Sequence, residues 1–167
     1  MTYSPPLRDP PEIIQEPRQC WSAAYESWTT ACSRIIRGAQ VVSEEEIEEQ
    51  LGRYPDALSE EGGAKLGGIG LLQMVGSLRF EAVAGADLTT DMLADRLRRL
   101  GYIYLIFWGR NQDEEVFSHA VVVSNAHGGR MRVMDPGRNR GLQTTPTNYY
   151  RNALVMFLGT HALAHEA

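Results

Sequence analysis

The hydrophobic period of the chain changes at Gly101, and no other feature of the sequence constrains the fold as much. Before it, Trp21, Ala24, Tyr25, Trp28, Ala31, Cys32, Ile35 and Ile36 recur at helical spacing and form one apolar stripe that ends at Gly38. "SEEEIEEQL" then signals a second helix, with Ser43 as N-cap and Glu46 three residues on as its capping-box partner. "TTDMLADRLRRLG" signals another, with Leu93, Leu97 and Leu100 turned inward and Gly101 closing it. Between them, "SEEGGAKLGGIGLLQMVGSLRF" lacks the Gly-Lys-Ser/Thr of a phosphate-binding loop and reads as loop plus a short buried helix. After Gly101 strand formers take over in "YIYLIFWG", "VFSHAVVVSNA", "RMRVMD" and "ALVMFL", which predicts four strands. Helices first and an antiparallel sheet after them define an α+β fold. The expected organisation is one domain, 1–167, with an extended proline-rich arm over 1–16, a mainly helical part over 20–100 and an antiparallel sheet over 102–160.

Several function classes are excluded early. The net charge of −5 does not suit a general nucleic-acid binder, which needs a basic surface. No apolar run approaches the roughly 20 residues that span a bilayer, and "MTYSPPLRDPPEIIQEP" has neither the basic nor the apolar region of a Sec signal peptide. Four arginines, Arg130, Arg132, Arg138 and Arg140, crowd into "GRMRVMDPGRNRG", where they meet either an anionic substrate or, more simply, the acidic "SEEEIEEQ" segment. His161 and His165 are four apart, but no carboxylate or thiol pattern completes a metal site, and a solvated tail is expected there.

The two cysteines, Cys20 and Cys32, lie on one predicted helix and are separated along it by roughly 18 Å, too far for a disulfide. Cys20 stands at a helix start that lacks a Ser, Thr, Asp or Asn cap. There the positive end of the macrodipole favours a thiolate, and backbone N–H groups point outward to receive an oxyanion. A thiol nucleophile also needs a base and a group that orients the base. His119 lies within the apolar strand "FSHAVVV", an expensive place for an imidazole, and Asp135 ends the next strand in "VMDPG".

Strand alternation sets a condition on that pair. A two-residue Gly128-Gly129 turn in a regular ladder sets Val122 opposite Asp135 and turns the carboxylate away from His119. A three-residue His127-Gly128-Gly129 loop sets Val121 opposite Asp135 and puts both on one face. A shared role for the two residues therefore predicts the three-residue loop.

"QEPRQCWSAA", followed about a hundred residues later by "HAVVV" and "MDP", resembles the papain-like cysteine peptidases. The likeness is strongest to their compact bacterial branch, which includes bacteriocin-leader peptidases and plant-pathogen effector proteases. It implies Cys20 as nucleophile, His119 as general base, Asp135 as orienter of the imidazole, and an oxyanion hole made of the Cys20 backbone N–H and an upstream glutamine. Gln15, five residues before Cys20, is favoured for that glutamine over the adjacent Gln19. Aspartate replaces papain's asparagine, as in the bacterial branch.

The expected activity is hydrolysis of peptide bonds through a Cys-His-Asp triad, with no cofactor and no metal, on a protein or peptide substrate. The alternatives are a Cys-His-Asp transglutaminase, deamidase or other acyltransferase acting on side-chain amides, and a catalytically silent binding module on the same fold. The short stretch before Cys20 leaves little for an inhibitory pro-segment, which suggests control by a separate inhibitor or immunity protein. A toxin or effector acting in the cytoplasm, or delivered into a target cell by a non-Sec route, fits that expectation.

Overall fold

The computed structural model describes residues 2–14, 20–55, 57–58, 64–137 and 140–166. Helices α1 (Cys20–Ser33), α2 (Glu44–Gly52), α3 (Ile69–Val75) and α4 (Thr90–Leu100) accompany one antiparallel sheet of six strands. The strands are β1 (Leu78–Val83), β2 (Ile103–Arg110), β3 (Val116–His127), β4 (Arg130–Asp135), β5 (Gly141–Pro146) and β6 (Val155–His161), in the order β1-β6-β2-β3-β4-β5. The sheet thus has two strands more than the four expected. β1 lies inside the part read as helical and pairs with β6, Leu78 opposite His161. β5 is an edge strand on β4.

The central strand explains the near-continuous apolar run after Gly101. Tyr102, Tyr104, Ile106 and Trp108 meet α1 in one core cluster, while Ile103, Leu105 and Phe107 join Leu93 and Leu97 of α4 in the other. Both faces of β2 are covered from Ile103 to Gly109, and only Arg110 at its end is exposed. Helix α2 starts as predicted, with the Glu46 N–H donating to the Ser43 hydroxyl at 3.2 Å. Helix α4 is capped by the Thr89 hydroxyl on the Met92 N–H, 3.1 Å, and is closed at Gly101, whose φ of 85° suits glycine.

Two buried hydrogen bonds fix α1 on the sheet. The Trp28 indole N–H donates to the Tyr102 carbonyl at 3.0 Å, and the Tyr104 hydroxyl donates to the Trp21 carbonyl at 2.8 Å. Trp21 directly follows Cys20, so the second bond anchors the turn that carries the thiol. Tyr104→Phe is expected to cost about 1 kcal/mol, because it removes one buried hydrogen bond while the Trp21 carbonyl keeps its place in the helix ladder, and denaturant titration would read the loss directly.

Residues 2–14 contain no helix or strand and are tied to the domain at several points. The Tyr3 N–H donates to the Arg98 carbonyl, the Leu7 N–H to the Ser124 carbonyl, and the Ser27 hydroxyl to the Pro11 carbonyl. Asp9 receives a two-point ion pair from Arg132 at 2.9 and 3.1 Å, and Glu12 accepts from the Leu142 N–H at 3.0 Å. Arg132 therefore serves the arm and not the acidic "SEEEIEEQ" segment. The tail also departs from the reading of a solvated end. His161 is buried and stacks on Trp28 with ring centroids 5.4 Å apart, and the His165 ring nitrogen Nε2 shares a 2.8 Å hydrogen bond with the Thr160 hydroxyl.

Candidate active site

The β3–β4 hairpin decides whether His119 and Asp135 meet. His127 pairs with Arg130, so the loop is the two residues Gly128 and Gly129, with φ of 60° and 78°. Both angles are left-handed, as the tight turn of a two-residue hairpin requires. The expected three-residue loop is therefore absent. The register instead shifts between Val123, opposite Val133, and Asn125, opposite Arg132, so Ser124 is an extra residue on β3. This β-bulge restores the parity that the short turn removes. With Val122 opposite Met134, Asp135 falls on the same face as Val121 and His119.

On that face His119 Nε2 and Asp135 Oδ1 are 2.8 Å apart. Phe107, the register partner of His119 on β2, supports the imidazole edge-on with centroids 5.7 Å apart. The Asp135 side chain is only 3% exposed and has three partners: His119, the Gly137 N–H at 2.9 Å, and the Arg140 Nε at 3.4 Å. Burial opposes its ionisation, yet the His119 hydrogen bond, the Gly137 amide and the Arg140 charge outweigh burial and hold the carboxyl below its ordinary pKa. A Cβ on Gly137 would lie 3.0 Å from Asp135 Oδ1 and 3.5 Å from His119 Cε1. The turn can approach the pair this closely because residue 137 is glycine.

Cys20 is the first residue of α1 and is 1% exposed. Burial pushes its thiol up to about 12, and the Asp135 carboxylate adds to the rise, so the two groups lie within electrostatic reach of each other. The macrodipole alone therefore does not make Cys20 a thiolate. Cys32 is fully buried three turns further along α1, and burial raises it as well. Neither cysteine is in a disulfide. Gln15 and Gln19 lie outside the described residues, as does Arg138. Among the described residues, no group of three or more His, Cys, Asp or Glu side chains is arranged to hold a metal, and no helix is long and apolar enough to cross a membrane.

A cavity of about 430 Å³ opens beside the pair. His119, Asp135 and Gly137 form one wall, and Phe107, Phe117, Arg140, Tyr149 and Tyr150 enclose much of the rest. Sequence reasoning missed the two tyrosines. They sit between β5 and β6 in "TNYYRN", and only the return of that connection to the sheet brings them to His119.

A helical part headed by Cys20 and packed on an antiparallel sheet that carries His119 and Asp135 is the papain-like arrangement. Solved structures share this fold, among them two peptidase domains. The peptidase domain of Streptococcus ComA, a bi-functional ABC transporter of a quorum-sensing pathway, matches with a TM-score of 0.57 and 12% identity, over 92% of this chain and 100% of its own. A double-glycine-motif protease of an AMS/PCAT transporter, solved with its leader peptide, matches with a TM-score of 0.59 and 15% identity, over 96% of this chain and 97% of its own. No family model and no curated protein matches the sequence.

Proposed function

We propose that this protein is a cysteine peptidase in which Cys20, His119 and Asp135 act together on a peptide bond. The observation that carries the reading is the 2.8 Å contact of His119 Nε2 with a buried carboxylate. An ionised carboxylate only accepts hydrogen bonds, so the Nε2 proton stays between the two groups and the neutral imidazole keeps its lone pair on Nδ1. That nitrogen is left to exchange a proton with sulfur.

The chemistry follows from this tautomer. Nδ1 takes the Cys20 proton as Sγ bonds to the carbonyl carbon, and the displaced electron pair moves to the carbonyl oxygen. The Cys20 N–H receives that oxyanion, together with Gln15 or, as the alternative, Gln19. When the intermediate collapses, the C–N bond breaks and the Nδ1 proton passes to the leaving amine, leaving a thioester. Water then attacks the thioester with His119 again as base, releasing the acid and restoring the thiol. Because burial and Asp135 both disfavour a bare thiolate, Cys20 ionises only as the proton arrives on His119, whose cation Asp135 stabilises.

The test is mass spectrometry of a peptide library and of double-glycine leader peptides after exposure to wild type and Cys20→Ala. The leader peptides are included because a fold relative was solved with one. New peptide termini are expected with wild type, at a rate at least ~10⁴-fold above the variant. Deamidated or cross-linked products without new termini would assign the protein to amide transfer, and no product at all would leave a binding module.

A further inference from the structure

The cavity beside His119 combines features that select a particular substrate group. Its described charged lining consists of Arg110, Arg140, Asp135 and His119. Asp135 is buried and already committed to His119, Gly137 and Arg140, so it offers little to a ligand. Arg140 reaches Asp135 through Nε and the Tyr149 hydroxyl through one Nη at 3.1 Å, and its guanidinium lies over the Tyr149 ring at 5.3 Å. Among the described residues Nη1 has no partner, and the guanidinium is held as an oriented donor.

Tyr150 supplies the second observation. It is 7% exposed, and its ring is fixed against Phe107 with centroids 4.5 Å apart and against Tyr149 at 5.0 Å. Its hydroxyl nevertheless has no hydrogen-bond partner among the described residues. A buried hydroxyl left this way costs about 1–3 kcal/mol, and such a cost is met where a ligand completes the bond. Burial first, and the Asp135 charge second, push the phenol well above its ordinary pKa, so it stays protonated and donates.

The mechanism fixes which part of a peptide arrives here. His119 returns its proton to the leaving amine, so the residue that carries that amine lies on the His119 side of the sulfur. We propose that this cavity is the specificity pocket for the residue following the scissile bond and takes an aspartate or glutamate, whose carboxylate is held by Arg140 Nη1 and the Tyr150 hydroxyl. Phe107, Phe117 and Ala153 would cover its methylene groups. The placement relative to the bond rests on the peptidase reading; the affinity for a carboxylate does not.

The test uses four peptides that differ only in the residue after the scissile bond: Glu, Gln, Lys or Ala. They are built on a sequence cleaved in the library experiment or, if none is cleaved, on a double-glycine leader peptide. For wild type, kcat/KM is expected to be about tenfold higher with Glu than with Gln, the scale of one charge-assisted hydrogen-bond pair. Calorimetric binding of the same peptides to Cys20→Ala protein is expected to show the same ratio without any turnover. Arg140→Gln should bring the Glu-to-Gln ratio to near one, and Tyr150→Phe, which keeps the ring stacking, should lower it about threefold. Cleavage of all four at equal rates overturns the pocket and leaves the peptidase. Preferential binding of Glu without cleavage overturns the peptidase and keeps carboxylate recognition. Equal binding with no cleavage overturns both.

Discussion

In the His119→Ala protein, alkylation of Cys20 by iodoacetamide at pH 7 is expected to fall by at least about tenfold. The thiolate, not the thiol, is alkylated. With the imidazole present, the Cys20 proton can pass to Nδ1, and Asp135, 2.8 Å from Nε2, holds the resulting cation. Without it, the burial and the Asp135 charge that already push the thiol up to about 12 act with no base to take the proton, so at pH 7 very little thiolate forms. The variant's rate should then climb about tenfold for each pH unit, and wild type should climb less steeply because His119 can take the proton. Cys32 is the internal control: it is fully buried, its thiol is raised by burial alone, and it should react in either protein only on unfolding. Identical pH profiles for wild type and variant would remove His119 as the acceptor of the Cys20 proton.

Substitution of Asp135 should also have a large effect, and the two simplest variants should differ. Asp135→Ala removes the acceptor that fixes the imidazole tautomer and leaves the Gly137 amide and Arg140 facing a void, so kcat/KM should fall about 10³–10⁴-fold. Asp135→Asn can keep its amide oxygen where Oδ1 stands, accepting from both His119 and Gly137, and loses only the longer 3.4 Å contact, where its NH₂ would face the Arg140 Nε donor to donor. It should retain more activity than the alanine variant. The stability of the two proteins should also separate on the acid side. The folded carboxyl titrates below its unfolded value, so its contribution is complete above the unfolded pKa, near 4, and disappears as pH falls through the folded value. Urea midpoints measured from pH 6 downward should fall more steeply for wild type than for Asp135→Asn. If Asp135→Ala lost stability but kept full turnover, Asp135 would be a turn residue only.

Much of the helical half can be read from residue type. Ser43 with Glu46, Thr89 before α4 and Gly101 after it each satisfy a local backbone need, and such needs leave marks in sequence. Strand β1 leaves no comparable mark. "LRFEAV" follows a glycine-rich stretch, and its strand state depends on β6, a partner at the far end of the chain. β5, "GLQTTP", is short, largely polar and ends in proline, an edge strand that only its neighbour defines.

The candidate site divides in the same way. Cys20, His119 and Asp135 stand out because each is chemically out of place in its local run. The device that joins two of them does not stand out: the Ser124 bulge occurs in "VVVSNA" with no glycine or proline to announce it. Tyr149 and Tyr150 escape notice for a different reason, since the wall they share with Arg140 is made by a connection between strands and by no periodic pattern.

The strapped arm and the pairing of β1 with β6 bear on how the protein is made. Asp9 waits for Arg132 on β4, Glu12 waits for Leu142 on β5, and β1 has its hydrogen-bonding partner in the last strand. A chain leaving the ribosome therefore exposes Cys20 long before the strands that bury it, and the His119 and Asp135 of the proposed triad, have been translated. Throughout that interval Cys20 is an exposed thiol among the other nascent chains of the cell, and it becomes the buried, shifted thiol of the folded protein only after synthesis has passed β6.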